Sequence, residues 1–483
     1  MSQENAVFPM QGRDSEELLK ELKDRQKQDL NWREGRVFSY VYDAGPEAMS
    51  LLKEAFNMYL TENGLDPTTF PSAMELEKDV LRMALDLMNG GPEAEGSFTS
   101  GGTESLLLSV KTARDFAREN RPEISEPELL LPETAHASFF KACHYFDVKP
   151  VVVPVDPIRF TADPAAMAEA ITPSTIMMVA SAPSYAHGVI DPVRELGEIA
   201  LEKDILLHVD CCVGGMYLPF AKELGFDTGE FDLSVPGVTQ ISMDFHKLGY
   251  AAKGASAILY KHGHLMRRHQ YFAWSGWTGY SVINPTVMST KSAGPVAACW
   301  AIMNKLGKQG YLELVEKTQA AADEIRGAIA DIPQLDLLGD AKMNLLAFSS
   351  DKIDVFKLAE QMKKRNWYIQ PQFAFGASPA NIHLTISHGN LHGFREFLVD
   401  LKECVQELDN NEAKAAMVEL PEEIAVLFEN PSPQLFSDLA AMFGGDGSEP
   451  PENMDEINNL LNAMPHNIRD QLITEFVNRM FST

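Results

Sequence analysis

The stretch Gln240–Tyr260, QISMDFHKLGYAAKGASAILY, holds the residues with the most chemical content. Two apolar runs flank a short polar excursion, and Lys247 sits between them. The pattern predicts strand, turn, strand, with Gly249 and Gly254 flanking the excursion. A lysine held between two buried strands is poorly solvated. Burial should lower its pKa and free the neutral amine that a Schiff-base lysine needs. Taken alone, a lysine at a strand end is usually a surface lysine. Lys247 has company. Asp210 follows another apolar run, Ile205–Val209, at the strand end where open α/β sheets bind ligands. The run Ser97–Ser105, SFTSGGTES, leads into a helical pattern from Leu106 to Ala117. Paired glycines with hydroxyls at a helix start make an anion site, because unpaired backbone amides and the helix dipole both favour negative charge. Between these stretches lies Glu133-Thr-Ala-His136, where a polar histidine follows the apolar run Leu129–Leu131.

An anion cradle, a flat ring, a carboxylate and a lysine, in this order, are the set that pyridoxal phosphate requires. The cradle would hold the phosphate and the histidine would stack on the pyridine ring. The carboxylate would keep the ring nitrogen protonated, and the lysine would bond the aldehyde carbon.

Several spaced motifs carry a resemblance: Asn89-Gly-Gly-Pro92, Thr99–Ser105, His187-Gly-Val-Ile-Asp-Pro192, His208-Val-Asp210, His246-Lys247, Gly249-Tyr250, Lys253-Gly254 and Ala297-Ala-Cys-Trp300. On these the chain resembles the group II pyridoxal-phosphate decarboxylases of the aspartate-aminotransferase (type I) fold. Within them it is most similar to the sphingosine-1-phosphate lyase branch. The resemblance implies pyridoxal 5'-phosphate as cofactor and Lys247, His136 and Asp210 as the catalytic set. It adds Gly102, Thr103, His246 and Thr290 to the cofactor contacts, and residue 211 as cover for the second ring face, with Cys211 where the family usually has alanine. On the substrate side it implies Tyr42, His187 and Lys253. The lyase branch usually carries a phosphate-binding histidine at the position of Asp66, and an aspartate there would repel a phosphate.

Composition narrows the function classes. With 69 acidic against 41 basic residues the net charge is −28, which argues against nucleic acid and anionic membrane surfaces as partners. No apolar run reaches the roughly 18 residues of a membrane span, and the start Met-Ser-Gln-Glu-Asn has neither basic flank nor apolar core. Neither a signal peptide nor a membrane anchor is therefore expected. Five cysteines, Cys143, Cys211, Cys212, Cys299 and Cys404, form no regular framework, as in reduced cytoplasmic proteins. No metal site is expected.

The chain divides into an N-terminal helical arm (1–60), a large cofactor-binding domain (61–295), a smaller α+β domain (296–410) and an acidic helical extension (411–483). Strands alternating with helices from Met74 to Tyr260 predict a mostly parallel sheet covered on both faces. The stretch 421–483 carries eleven acidic and two basic residues, a net of −9, and reads as a solvated appendage docked on its own dimer or as a partner-binding or oligomer-forming segment. An amphipathic stretch, Ser15–Arg33, and the aromatic-rich segment His269–Pro285 point to a homodimer. The substrate expected is a small-molecule amine. Three readings of function stand: a carbon–carbon lyase cleaving a phosphorylated amino alcohol, an amino-acid α-decarboxylase, and an inactive scaffold with an interaction tail.

Overall fold

The structure, a computed structural model, describes residues 8–410 and 454–481. The expectations for Pro421–Phe443 and for the linker 444–451 lie outside the described residues.

Apolar runs become buried strands, as their composition requires. In the large sheet, β1 (Glu95–Thr99), β2 (Glu128–Pro132), β3 (Lys149–Val153), β4 (Thr175–Ser181), β5 (Leu206–Cys211), β6 (Val238–Asp244) and β7 (Ser256–Tyr260) lie in the order β1-β7-β6-β5-β4-β2-β3. Strands β2 to β6 are mutually parallel, while β7 runs antiparallel to both β6 and β1. Every residue of β2, β4 and β7 is buried, the mark of a sheet covered on both faces. Parallel register aligns the carboxyl ends of β4, β5 and β6, with Ser181 opposite Asp210 and Asp210 opposite Ser242. The expected strand–turn–strand around Lys247 is the β6–β7 hairpin, closed by the pair Asp244–Ser256.

A two-stranded ribbon, β8 (Phe272–Trp274) with β9 (Val282–Asn284), follows. The helix Gly294–Ala330 then leads into the small sheet. It is interrupted at Gly307, whose φ of 54° and ψ of −176° only glycine adopts readily. Strands β10 (Asp336–Leu337), β11 (Leu345–Ser349), β12 (Gln370–Gln372) and β13 (Asn381–Thr385) form an antiparallel sheet in the order β10-β11-β13-β12. Its core is separate from that of the large sheet and holds Phe38, Phe348, Trp367 and Phe397.

The N-terminal helix stops at Arg25, eight residues short of the expected Arg33, and none of its residues is buried. Two helices of the extension, Asp455–Ala463 and His466–Met480, dock on the small domain. Leu461, Met464, Ile468 and Leu472 pack with Phe373. Asn459 Nδ2 donates to Asp354 Oδ2 at 2.6 Å, and the Ala374 amide donates to Asn462 Oδ1 at 2.7 Å.

Candidate active site

The site lies at the carboxyl ends of β4, β5 and β6. Asp210 is 7% exposed. Its Oδ1 accepts the Cys212 amide at 3.0 Å and the Ser242 hydroxyl at 3.2 Å. Among the described residues, Oδ2 has no hydrogen bond. Lys247, on the turn after β6, reaches back so that its Nζ lies 2.9 Å from Asp244 Oδ2. This corrects the expectation of a depressed amine. Burial is the largest influence on Lys247 and does pull it down, but the Asp244 charge, helped by Cys212 and Tyr42, more than offsets it. The amine is held above its usual range. Asp244 itself is buried, and its Oδ1 accepts the Ser256 hydroxyl at 2.6 Å. The sequence offered a signal for Asp244, a carboxylate three residues before the lysine, that pattern reading passed over.

The cradle forms where β1 turns into the helix Gly102–Asn120. A Cβ on Gly102 would lie 2.8 Å from Asp244 Oδ2 and 3.1 Å from Cys212 Sγ, so only glycine lets the helix start approach this closely. Glu104 pins the turn: Oε2 accepts the Ser100 amide at 2.6 Å and Oε1 the Val287 amide at 2.7 Å. Between these elements is a hollow of about 520 Å³ whose lining includes Ser100, Gly102, Thr103, His246 and Lys253. His246 is oriented by donating Nδ1–H to the Ala255 carbonyl at 3.0 Å. His136 accepts the Ser138 amide on Nδ1 at 3.2 Å, which leaves the proton of the neutral ring on Nε2. Burial lowers the His136 pKa against the pull of Asp210, so the ring is neutral near pH 7. Thr103 and Ser138 join their hydroxyls at 3.0 Å and tie the cradle to the His136 turn.

Lys253 is exposed overall, but its ammonium turns inward, donating to the Tyr40 carbonyl at 3.0 Å and the His246 carbonyl at 3.4 Å. Desolvation, then the Lys247 charge, brings it down to about 8. Its Nζ lies 5.0 Å from the centre of the Tyr42 ring. Burial raises the Tyr42 phenol, and Lys247 pulls it the other way. Tyr185, absent from the sequence reading, joins this group. Its hydroxyl donates to Gln370 Oε1 at 2.7 Å, its ring stacks on His383 at 4.3 Å, and Tyr42, Tyr40 and Lys247 all act on its phenol. Its position just past the carboxyl end of β4 was the available signal.

Two expectations, those for His187 and Cys211, need correction, and Asp66 and Thr290 stand apart from the Lys247 group within one chain. His187 is a packed ring, not a cleft residue. It is 1% exposed, stacks on Phe160 at 4.2 Å, and its Nε2 meets Ser378 Oγ at 2.9 Å. Asp66 is exposed and does not join the Lys247 group. Its carboxylate accepts from the Thr68 amide and hydroxyl at 2.9 and 2.6 Å and from the Thr69 hydroxyl at 3.1 Å, capping its own turn. Thr290 is exposed and does not line the hollow within one chain. Cys211 points into the core at 0% exposure; strand alternation puts Cys212, beside Gly102 and Ser242, on the Asp210 side.

Residues 1–351 match the model of the pyridoxal-dependent decarboxylase conserved domain. The chain belongs to the pyridoxal-dependent decarboxylase family. Residues 411–479 match a second model, the C-terminal putative HTH domain of pyridoxal-dependent enzymes. The sphingosine-1-phosphate lyase of Oryza sativa subsp. japonica is 38% identical over 405 residues, covering 82% of this chain and 74% of that protein. The structure of the Burkholderia pseudomallei sphingosine-1-phosphate lyase superposes with a TM-score of 0.80 at 32% identity, covering 88% of this chain and 98% of that one. The probable L-aspartate decarboxylase of Pyrococcus furiosus is 32% identical over 362 residues, covering 75% of this chain and 94% of that protein. This decarboxylase-family chain is a pyridoxal-phosphate-dependent lyase of the type I fold. Its residues fit the cofactor. An amine stands beside the carboxyl ends of the strands, Asp210 Oδ2 has no hydrogen bond among the described residues, His136 is a neutral ring, and a side chain on Gly102 would fill the cradle.

Proposed function

We propose that the enzyme is a carbon–carbon lyase that cleaves a phosphorylated amino alcohol of the sphingosine phosphate kind into an aldehyde and phosphoethanolamine. The observation that carries this reading is Lys253. Its inward-turned ammonium supplies a positive centre beside the cradle, in the same hollow and separate from Lys247. One anion position serves the cofactor and the other a phosphate on the substrate. Identity of 38% to a sphingosine-1-phosphate lyase supports the same choice.

The cofactor, when bound, supplies an electron sink for the carbon–carbon bond broken. The chain's residues do the rest. Gly102, Thr103 and His246 hold the phosphate, and His136 holds a ring face. Asp210 would accept a hydrogen bond from the protonated ring nitrogen. Lys247 would hold the cofactor, and its amine would return a proton to the two-carbon fragment. Lys253 and Tyr42 orient the substrate phosphate.

Asp66 and Thr290 act, on this proposal, from a second copy. The ribbon leaves Trp274, Trp277, Tyr280 and Ile283 at least half exposed, an apolar patch suited to a homodimer. A cytoplasmic enzyme is proposed from five free cysteines. No helix among the described residues is long and apolar enough to cross a membrane. The net of −9 over 421–483 would repel a phosphate backbone, so we propose no nucleic-acid partner for the extension.

A second reading, amino-acid decarboxylation, is favoured by Asp66 and by the 32% identity to a probable aspartate decarboxylase. Incubation with sphingosine phosphate and with an amino-acid panel, following aldehyde and carbon dioxide, separates the two. Aldehyde release that Lys253→Ala abolishes and Asp66→His improves, mainly in KM, supports the lyase. Carbon dioxide from an amino acid, with phosphorylated amino alcohols untouched, overturns it.

A further inference from the structure

We propose that His208 is a positioning residue that acts through Ser242 to orient the carboxylate of Asp210. The proposal rests on the reading of Asp210 as the partner of the cofactor ring nitrogen.

His208 and Asp210 lie two residues apart on β5 and so face the same side of the sheet. Ser242 stands opposite Asp210 on β6. Three groups converge on the Ser242 hydroxyl: Asp210 Oδ1 at 3.2 Å, His208 Nε2 at 3.1 Å and Cys212 Sγ at 3.4 Å. A hydroxyl has one proton to give and two lone pairs to receive. An ionised carboxylate only accepts, and it is the strongest acceptor of the three. The hydroxyl proton therefore points at Asp210. Both lone pairs then take protons, one from the Cys212 thiol and one from His208 Nε2–H. This fixes the His208 tautomer and leaves Nδ1 bare. Among the described residues, Nδ1 is buried without a hydrogen bond, and so is Oε1 of Gln240, which stands opposite His208 on β6. Turning the Gln240 amide over would offer its N–H to Nδ1 and complete the chain. His208 is fully buried with Phe139 edge-on at 5.6 Å, and burial brings it down to about 4, so it is a neutral donor near pH 7.

The result is a one-way relay, His208 to Ser242 to Asp210. It polarises the serine hydroxyl toward Oδ1 and leaves Oδ2 for the ring nitrogen. Nothing else in the mechanism uses the histidine of the His208-Val-Asp210 run.

The test is titration of apoenzyme with pyridoxal phosphate, recording the dissociation constant and the pH dependence of the bound cofactor's visible absorption, with no turnover involved. His208→Phe and Ser242→Ala should each weaken cofactor binding about tenfold and shift the absorption titration. The double variant should be no worse than Ser242→Ala alone, because both break one chain. His208→Gln, whose amide N–H stands near the Nε2 position, should restore most of the loss and keeps the test open should His208→Phe fail to fold. Effects of His208→Phe and Ser242→Ala that multiply would overturn the relay. So would a titration unmoved by His208→Phe while Asp210→Ala moves it. A titration unmoved by Asp210→Ala would instead remove the reading of Asp210 on which the relay rests.

Discussion

Lys247 shows how one neighbour reverses the sign of a burial effect. Desolvation alone would pull the amine below its usual range; a buried carboxylate 2.9 Å away holds it above that range. Asp244→Asn removes that charge and leaves burial as the main influence. Cofactor loading of the Asn variant, followed by absorbance, should therefore begin at lower pH than in the unaltered enzyme; an unchanged pH midpoint would show that Asp244 does not govern the amine. Lys253 has the opposite character, because desolvation and the Lys247 charge outweigh the pull of Asp244 and its charge is lost near pH 8. A phosphate ligand needs that charge. KM for a phosphorylated substrate should rise as pH climbs through about 8. In Lys253→Arg, which stays charged, the rise should flatten. A KM that is flat with pH in the unaltered enzyme would remove Lys253 from the phosphate contact.

At the level of elements, the site depends on how closely the Gly102–Asn120 helix start approaches the β5 and β6 ends. Residue 102 has no room for a side chain: the nearest oxygen would stand 2.8 Å from its Cβ. Gly102→Ala should push the helix start off Asp244, costing about 1–3 kcal/mol of stability by overpacking and weakening cofactor binding. Thermal unfolding and cofactor titration measure the two effects; a variant that loads cofactor normally would show that the cradle tolerates the shift. The β6–β7 hairpin was legible from its residues, since two apolar runs around a Gly-bounded polar turn have few other solutions. Helix ends were less so. The N-terminal helix ends at Arg25 because beyond it Gln26–Gln28 and Trp32–Glu34 only form short 3-10 turns.

The whole molecule carries a set of buried histidines with one consequence for acid stability. His187, His208 and His383 are each brought by burial from 6.5 to about 4. In the unfolded chain they take up protons near 6.5, while the folded chain resists until about 4. Each therefore contributes stability that is present above pH 6.5 and is lost as pH falls toward 4, on the order of 3 kcal/mol per residue. The midpoint of thermal unfolding should drop across that window, and His187→Gln should drop less steeply. An equal slope in both proteins would mean that His187 is charged in the fold. The docked helices of the extension add a second, smaller packing unit on the small domain, built around Leu461 and Phe373.

Residue type and order by themselves determined the fold class and the cofactor, and nominated Lys247, Asp210, His136, Gly102 and Thr103 for the candidate site. Each is tied to its element by local rules: a strand's carboxyl end, a helix start, a turn between apolar runs. Tertiary structure alone decided the partners across strands. Asp244 against Lys247, Ser242 and His208 against Asp210, and Tyr185 beside Tyr42 depend on sheet register and loop packing, which one-dimensional spacing does not specify. It also decided that His187 stacks inside and that Cys212, not Cys211, stands beside the cradle, because one residue of strand phase turns a side chain from site to core.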